Sequence, residues 1–199
     1  MQAPSIKGPP LENREKRRTL VGCTVVITAV AVVGFVALTV WAVVSGERNQ
    51  YQVAASGIWS EVVADADGMA DIFREREAES GSTGFTDGRA FRETAGRLAA
   101  AARDGAKVAR DRHGTMSDFT VGEDEAAKRT ALLGFLDSYA HYLELCAPAL
   151  ERRRRGGGQE LEAARDRARK AAAEARRLNG FRTGLPDEVF LLPEFAEGL

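Results

Sequence analysis

Cysteine, histidine and aromatic residues are scarce in this chain. Its 199 residues include two cysteines, two histidines and 7% aromatics. Cys23 lies in an apolar run and Cys146 in a predicted soluble helix, so the sequence provides no internal disulfide framework. His113 and His141 are far apart in sequence, and no acidic or cysteine residue joins either of them at ligand spacing. We therefore expect no metal, no cofactor and no catalytic dyad.

The sequence also lacks the common catalytic and nucleotide-binding motifs. It contains no Walker motif, dinucleotide fingerprint, GxSxG, HExxH or CxxC. The stretch from Asp65 to Asp71 superficially resembles a calcium loop, but Gly68 stands at its fourth position instead of the sixth and Arg76 replaces the expected glutamate. The net charge of −1 gives no bulk attraction to nucleic acid. The sequence predicts a protein that is not an enzyme and does not bind nucleic acid.

One long run has no charged residue. It extends from Leu20 to Val44, which is 25 residues. As an α-helix it would be about 37 Å long, enough to cross a hydrocarbon core of about 30 Å with some tilt. Because an unpaired backbone amide is costly in lipid, such a run is expected to be helical there. The sequence predicts a single transmembrane helix over residues 19–46, with the lipid bilayer as its partner.

Two processing signals compete with an intact anchor. Leu20-Val21-Gly22-Cys23 matches a bacterial lipobox, but the apolar run follows Cys23 instead of preceding it. We interpret this stretch as the cytoplasmic end of the membrane helix. Arg17-Arg18 loosely resembles a twin-arginine export signal, and Val43-Val44-Ser45 is a weak cleavage site, so removal of the N-terminal segment stays open.

Charge differs on the two sides of the run. Residues 1–18 hold five basic and two acidic groups, a net of +3, whereas residues 47–199 hold 23 basic and 27 acidic groups, a net of −4. The positive-inside tendency places residues 1–18 in the cytoplasm, as a disordered basic tail, and residues 47–199 outside it at the cell membrane. The arginine-heavy, alanine-rich composition indicates a GC-rich bacterium such as an actinobacterium.

After the predicted span, apolar residues recur with helical period and no strand pattern is visible. Helices are expected over roughly 47–79, 88–113, 121–155 and 159–179. Four helices with short connections are typical of an antiparallel bundle, so the predicted fold class is all-α, with a helical bundle over residues 47–180.

The third predicted helix carries the clearest pattern. Its apolar residues follow spacings of 4, 3, 4, 3 and 4, the heptad seam of a coiled coil: Leu132, Leu136, Tyr139, Leu143, Cys146 and Leu150. The other helices have narrower, alanine-rich stripes. These are Tyr51, Ala55, Ile58, Val62, Ala66, Met69 and Phe73; Phe91, Ala95, Leu98, Ala102, Gly105 and Ala109; and Leu161, Ala164, Ala168, Ala172, Ala175 and Leu178.

Charged residues are expected to act at helix ends and between helices. Arg110-Asp111-Arg112-His113 should end the second helix and Arg176-Arg177 the fourth, where cations complement the helix dipole. Residues 47–87 carry a net charge of −6 and residues 151–177 a net of +5. The first and last helices are therefore expected to attract one another.

Two stretches are candidates for interaction with other molecules. The basic run Arg152, Arg153, Arg154 and Arg155, followed by three glycines, could dock to anionic headgroups, cell-wall polymers or an acidic partner, or could simply be a solvated helix end. The tail over residues 181–199 gathers large apolar side chains that should not stay in water unpaired. They include Phe190, Leu191, Leu192 and Phe195. The tail is expected either to pack in a groove of its own bundle or to dock on a partner.

The sequence does not identify a process. The first hypothesis is a single-pass membrane protein that displays a helical bundle outside the cytoplasm as an interaction or scaffold module, with a protein partner or as a homo-oligomer. The layout is also similar to the periplasmic four-helix bundles of bacterial chemoreceptors and sensor kinases, which likewise follow an N-terminal span. That resemblance implies a ligand-sensing module. With one predicted span and no cytoplasmic output domain, such a sensor would signal through a partner protein.

Overall fold

The structure is a computed structural model that describes residues 46, 50–78, 88–152 and 158–192. The chain divides at Gly46, and everything described below belongs to the unit Glu47–Leu199. The predicted basic tail and, except for Gly46, the predicted membrane span lie outside the described residues. Among the helices that are described, none is long and apolar enough to cross a membrane.

Four α-helices account for most of the described residues. They are α1 (50–78), α2 (Gly88–Ser117), α3 (Glu123–Arg152) and α4 (Gly158–Asn179), followed by a 3-10 helix, η1 (Asp187–Leu191). Within these ranges the chain has no β-strand, so the prediction of an all-α helical bundle is confirmed.

Interhelical ion pairs give the direction of α1 and α2. Glu61 of α1 pairs with Arg112 of α2 at 2.6 Å, whereas Glu75, further along α1, pairs with Arg97, earlier in α2, at 2.8 Å. The two helices are therefore antiparallel.

The same reversal relates the later helices. Arg110 of α2 contacts Glu144 of α3, while Arg103, earlier in α2, contacts Glu151, later in α3. The side-chain amide of Asn179, at the end of α4, donates to the carbonyl of Lys128 near the start of α3. The helices thus run up, down, up and down, which is the expected topology for short connections.

The predicted heptad seam of α3 forms the middle of the core. All six of its residues are buried, and so are the alanine-rich stripes of the other helices apart from Phe73, Phe91 and Leu178, which are partly buried. Small side chains let the helices approach closely. A Cβ at Gly105 of α2 would lie 3.0 Å from Leu143 Cδ1 and 3.4 Å from Met69 Cε. At Gly105, α2 therefore lies close to both α1 and α3.

The predicted end of α2 was wrong. The helix passes through Gly114 and ends at Ser117, four residues beyond the expected end at His113. Arg110 and Arg112 consequently serve as interhelical partners of acids on α3 and α1. The end of α2 is instead capped from α3, where the Arg129 guanidinium donates to the carbonyls of Met116 and Ser117.

The predicted stripe of α4 was wrong at its last position. Leu178 is only partly buried, and Asn179, four residues after Ala175, occupies the buried position at the end of the helix. Four-residue spacing explains the placement, because i and i+4 share a helix face. The expected cations do lie in the last turn of α4, where Arg176 donates to the carbonyls of Phe181 and Arg182.

Candidate functional site

The candidate site is the groove between α1, α3 and α4, which is filled by the chain's own residues 180–192, here called the C-terminal segment. This segment leaves α4 after Asn179 and turns back along the bundle. Gly180 makes the turn with a φ of +71°, a left-handed conformation that glycine adopts without strain. The groove matters because side chains of three helices are directed at one short stretch of chain.

Asn179 fixes the point where the segment begins. Its side-chain oxygen accepts a hydrogen bond of 2.8 Å from the Tyr51 hydroxyl, and its amide nitrogen donates to the carbonyls of Lys128 and Ala175. A buried amide needs such partners, since an unpaired buried polar group costs about 1–3 kcal/mol. Burial raises the pKa of Tyr51 to about 12, with a further contribution from the nearby Glu125 carboxylate.

Trp59 of α1 holds the first part of the segment. Its indole Nε1 donates to the Thr183 carbonyl at 3.0 Å, and its ring stacks on Phe181 with centroids 4.6 Å apart. On its other side the indole meets Phe135 of α3 at 5.0 Å. The aromatic stack joins the segment to α1 and to the central helix together.

Tyr142 of α3 holds the second part. Its hydroxyl donates to the Val189 carbonyl at 2.8 Å, and its ring lies 5.9 Å from the ring of Phe190. The guanidinium of Arg169, from α4, lies over the Phe190 ring, with its carbon 5.3 Å from the ring centroid. Val189 and Phe190 are almost fully buried, so η1 places these two residues inward against α3 and α4.

Two adjacent acids of η1 pair with opposite walls of the groove. Asp187 contacts Arg169 of α4 at 2.7 Å, and Glu188 contacts Arg74 of α1 at 3.0 Å. A hydrogen bond from its own backbone, followed by the Arg74 guanidinium, lowers the pKa of Glu188. Here α1 and α4 each contribute an arginine and the C-terminal segment supplies the acids, so the expected attraction between an acidic first helix and a basic last helix stays a prediction.

The predicted apolar tail residues divide into three groups. Phe190 and Leu192 are buried against the bundle, at 4% and 1% exposure. Leu191 points outward, with 49% of its surface exposed. Phe195 lies outside the described residues. Of the two expected arrangements, packing in a groove of the same bundle is the one adopted by residues 187–192.

The predicted basic run falls at the far end of α3. Arg152 is the last residue of that helix, and Arg153, Arg154 and Arg155 lie outside the described residues. The start of α3 lies beside the start of α1. There the ring of Tyr51, in α1, packs against the ring of Phe119, which just precedes α3, with centroids 6.3 Å apart. Arg152 and the C-terminal segment's turn at Gly180 thus belong to opposite ends of the bundle.

A second polar feature lies inside the bundle. The Tyr139 hydroxyl is fully buried, and neither it nor Oδ2 of Asp65 has a hydrogen-bond partner. Burial raises the pKa of Tyr139, and the nearby Asp65 carboxylate adds to that effect. Burial also raises the pKa of Asp65, with further contributions from the negative charges of Glu61 and Asp104. Asp65 is therefore only partly exposed, with one of its carboxylate oxygens buried.

Sequence reasoning missed Trp59, Asp65 and Asn179. Asn179 falls four residues after Ala175, so its place on the buried stripe was readable from spacing. Trp59 follows Ile58 of the predicted stripe and only widens the apolar face. Asp65 stands three residues after Val62 and four before Met69, so its spacing placed it at the edge of the buried stripe, whereas its acidic side chain predicted exposure.

The described residues contain no group of three or more histidine, cysteine or acidic side chains that could hold a metal ion. Cys146 is a buried free thiol. No protein-family model matches the chain, and neither the curated proteins nor the solved structures provide a match. Any functional inference must therefore come from the residues themselves.

Proposed function

We propose that this chain is a single-pass membrane protein whose helical bundle acts outside the cytoplasm as an interaction or scaffold module. The observation that carries the proposal is the uncharged run of 25 residues from Leu20 to Val44, which ends shortly before α1. The excess of basic residues before the run favours a cytoplasmic N-terminus. An antiparallel bundle with a rigid core then supplies a stable platform for contacts.

Arg152, the first residue of the arginine run, lies at the end of α3. The chain joins α1 at the bundle end that also holds the start of α3, whereas Arg152 lies at the other end of this 30-residue helix. A helix of that length measures about 45 Å. The arginine run stays a candidate for docking to an acidic partner, an anionic cell-wall polymer or anionic headgroups.

The described surface exposes few large apolar side chains, which favours binding of a partner through polar groups and through the C-terminal segment. Among the residues described, the large apolar side chains that are well exposed are Val53 and Leu191, which lie at 74% and 49% exposure. Isolated exposed apolar residues are common and do not mark an interface. The groove that η1 fills is the place where apolar anchors and charged walls occur together.

Ligand sensing is the alternative function, and one observation favours it. The Tyr139 hydroxyl and Asp65 Oδ2 are buried polar atoms of the bundle that have no hydrogen-bond partner. Buried polar atoms of this kind are where a small polar ligand would gain hydrogen bonds that water cannot supply. A melting-temperature screen of the full chain against a metabolite panel tests this reading. A shift that Tyr139→Phe removes supports sensing, and no shift across the panel counts against it.

Crosslinking in native membranes followed by affinity purification tests the interaction role. The proposal predicts one reproducible partner, or the chain itself, in crosslinked complexes recovered from the membrane fraction. Carbonate washing should leave the protein in that fraction, since a membrane helix resists it. Release of the chain by carbonate, together with an absence of specific complexes, contradicts the proposal.

A further inference from the structure

We infer that Asp65, Asp104 and Tyr139 form a binding site for a small organic cation that carries a primary ammonium group. Three helices contribute one residue each, since Asp65 lies in α1, Asp104 in α2 and Tyr139 in α3. The site rests on the sensing alternative proposed above, for which it names the ligand class. It does not depend on where the bundle lies relative to a membrane.

The three residues lie at successive depths of the bundle. Asp104 is exposed, Asp65 is partly buried, and Tyr139 has no exposed surface. The charge of Asp104 acts on Asp65, and the charge of Asp65 acts on the Tyr139 hydroxyl, so the three groups are neighbours in this order. A ligand that enters from the surface between α1 and α2 therefore meets both carboxylates before it reaches the phenol.

Two atoms at the inner end of the site have unused hydrogen-bonding capacity. The Tyr139 hydroxyl and Asp65 Oδ2 are buried, and neither has a hydrogen-bond partner. An ionised carboxylate only accepts hydrogen bonds, and a phenol oxygen can accept as well as donate. Buried polar groups normally have partners, because an unpaired one costs free energy. A ligand that donates to both atoms supplies the bonds that the bundle does not.

The charge around the site favours a cation. Glu61, one helical turn before Asp65, is already paired with Arg112, whose guanidinium donates to both carboxylate oxygens at 2.6 Å. Within the described ranges, no ion pair joins Asp65 or Asp104 to a basic side chain. Two neighbouring negative charges repel each other. A water molecule satisfies the buried atoms but leaves this repulsion in place, whereas a cation removes it.

A primary ammonium group suits these acceptors. It carries three N–H donors on one compact centre, which matches one acceptor from each of three helices. A metal ion is disfavoured, because the described residues contain no group of three acidic, histidine or cysteine side chains that could hold one. A planar guanidinium pairs best with a single carboxylate, as Arg112 does with Glu61. The exposed acid at the entrance disfavours ligands that carry a carboxylate beside the amine.

Thermal melts of the full chain in a neutral detergent and phosphate buffer test the site, with methylammonium as the probe. Tetramethylammonium at the same concentration and ionic strength is the matched compound, because it has the same charge and no N–H donor. A ligand that binds the folded chain raises Tm as its concentration increases. We expect methylammonium to raise Tm and tetramethylammonium to leave it unchanged. Equal shifts from the two cations would mean general charge screening and would overturn the inference.

Variants locate the effect within the bundle. Asp65→Asn removes a charge and Tyr139→Phe removes an acceptor, so each should weaken methylammonium binding by about tenfold or more. Asp67→Asn, at an exposed position of the same helix, is the control and should respond as the parent chain does. Each shift is measured against the same variant without the amine, so that changes in basal stability cancel. An unchanged response of Asp65→Asn contradicts the site.

The other outcomes separate this site from ligand sensing in general. A neutral or anionic compound that raises Tm through Tyr139, with no effect of methylammonium, would overturn the ammonium assignment and leave sensing in place. A larger shift from Mg²⁺ than from methylammonium, lost in Asp65→Asn, would identify a metal site instead. No shift with any compound would contradict both the site and sensing. The scaffold role is measured by crosslinked complexes, so none of these results bears on it.

Discussion

Two tyrosines of α3, three positions apart, show how differently one hydroxyl can be used. Tyr142 and Tyr139 are both fully buried. Tyr142 donates to the Val189 carbonyl, whereas the hydroxyl of Tyr139 has no partner. Both positions are expected from sequence to face the core, since a heptad seam and its flanks predict burial. The hydrogen bond was not predictable, because its acceptor lies 47 residues away in a segment without regular pattern.

Tyr139→Phe should stabilise the bundle. The change keeps the ring and removes a buried polar atom whose desolvation costs about 1–3 kcal/mol when it is unpaired. We expect the melting temperature to rise by about 2–4 °C for each kcal/mol recovered. Tyr142→Phe is the matched control, and it should lower the melting temperature because it leaves the Val189 carbonyl without its donor. A lower melting temperature for both variants would show that Tyr139 also has a partner.

Asp65 should destabilise the bundle as pH rises. Its pKa is higher in the folded chain than in the unfolded chain, because burial disfavours the charged form. Such a carboxyl imposes no penalty while it is protonated in both states. The penalty develops as pH rises from its unfolded pKa through its folded pKa, and it is complete above the latter.

Asp65→Asn should therefore gain stability relative to the parent chain between pH 4 and neutrality, with little difference at pH 3. Thermal melts across that range measure the change. Glu61 has the opposite sign, because its hydrogen bond with Arg112 lowers its pKa. Glu61→Gln should lose stability relative to the parent at neutral pH and match it at low pH. If the stability difference between Asp65→Asn and the parent chain does not vary with pH, the pKa of Asp65 is not raised in the folded chain.

At the scale of elements, sequence pattern located all four helices but misplaced some ends. The alanine-rich stripes and the seam fix which faces are buried, because side-chain size and period are local properties. The end of α2 depends on Arg129 of another helix, which supplies donors to its last carbonyls. Gly114 was expected to stop α2, yet it does not, since tertiary contacts outweigh a weak local preference.

The groove could not be predicted from the sequence. Its walls come from α1, α3 and α4, and its contents from η1, so no single window of sequence contains the site. The apolar cluster around Phe190 indicated that the tail must be covered, but did not indicate by which residues. The acids Asp187 and Glu188 stand in the first turn of η1, directly before the apolar cluster. In the structure they also pair with arginines on two separate helices.

Phe190→Ala should weaken the attachment of η1 to the bundle. Truncating a buried phenylalanine costs about 3–5 kcal/mol in a well-packed core, and we expect about 3 kcal/mol at this edge of the core. Chemical denaturation of the full chain would measure the loss. Leu191→Ala, on the exposed side of the same turn, should change stability by about 0.5 kcal/mol or less. Equal effects of the two changes would mean that η1 is not held through its inward face.

At the scale of the whole molecule, the described bundle is self-contained. Its ion pairs join neighbouring helices, and its C-terminal segment returns to join α1 and α4. The proposed placement at a membrane and outside the cytoplasm rests on composition: an uncharged run, a basic flank before it and an acidic remainder after it. Each of these is a property of the sequence, so placement requires a measurement on cells.

Labelling of single cysteines in intact cells with a membrane-impermeant maleimide tests that placement most directly. Val53, on the exposed face of α1, is a suitable probe site because 74% of its surface is accessible. With Cys23→Ser as background and Cys146 buried, Val53→Cys should be labelled in intact cells. Lys7→Cys should be labelled only after the cells are permeabilised. Labelling of Lys7→Cys in intact cells, with protection of Val53→Cys, would contradict a bundle displayed outside the cytoplasm.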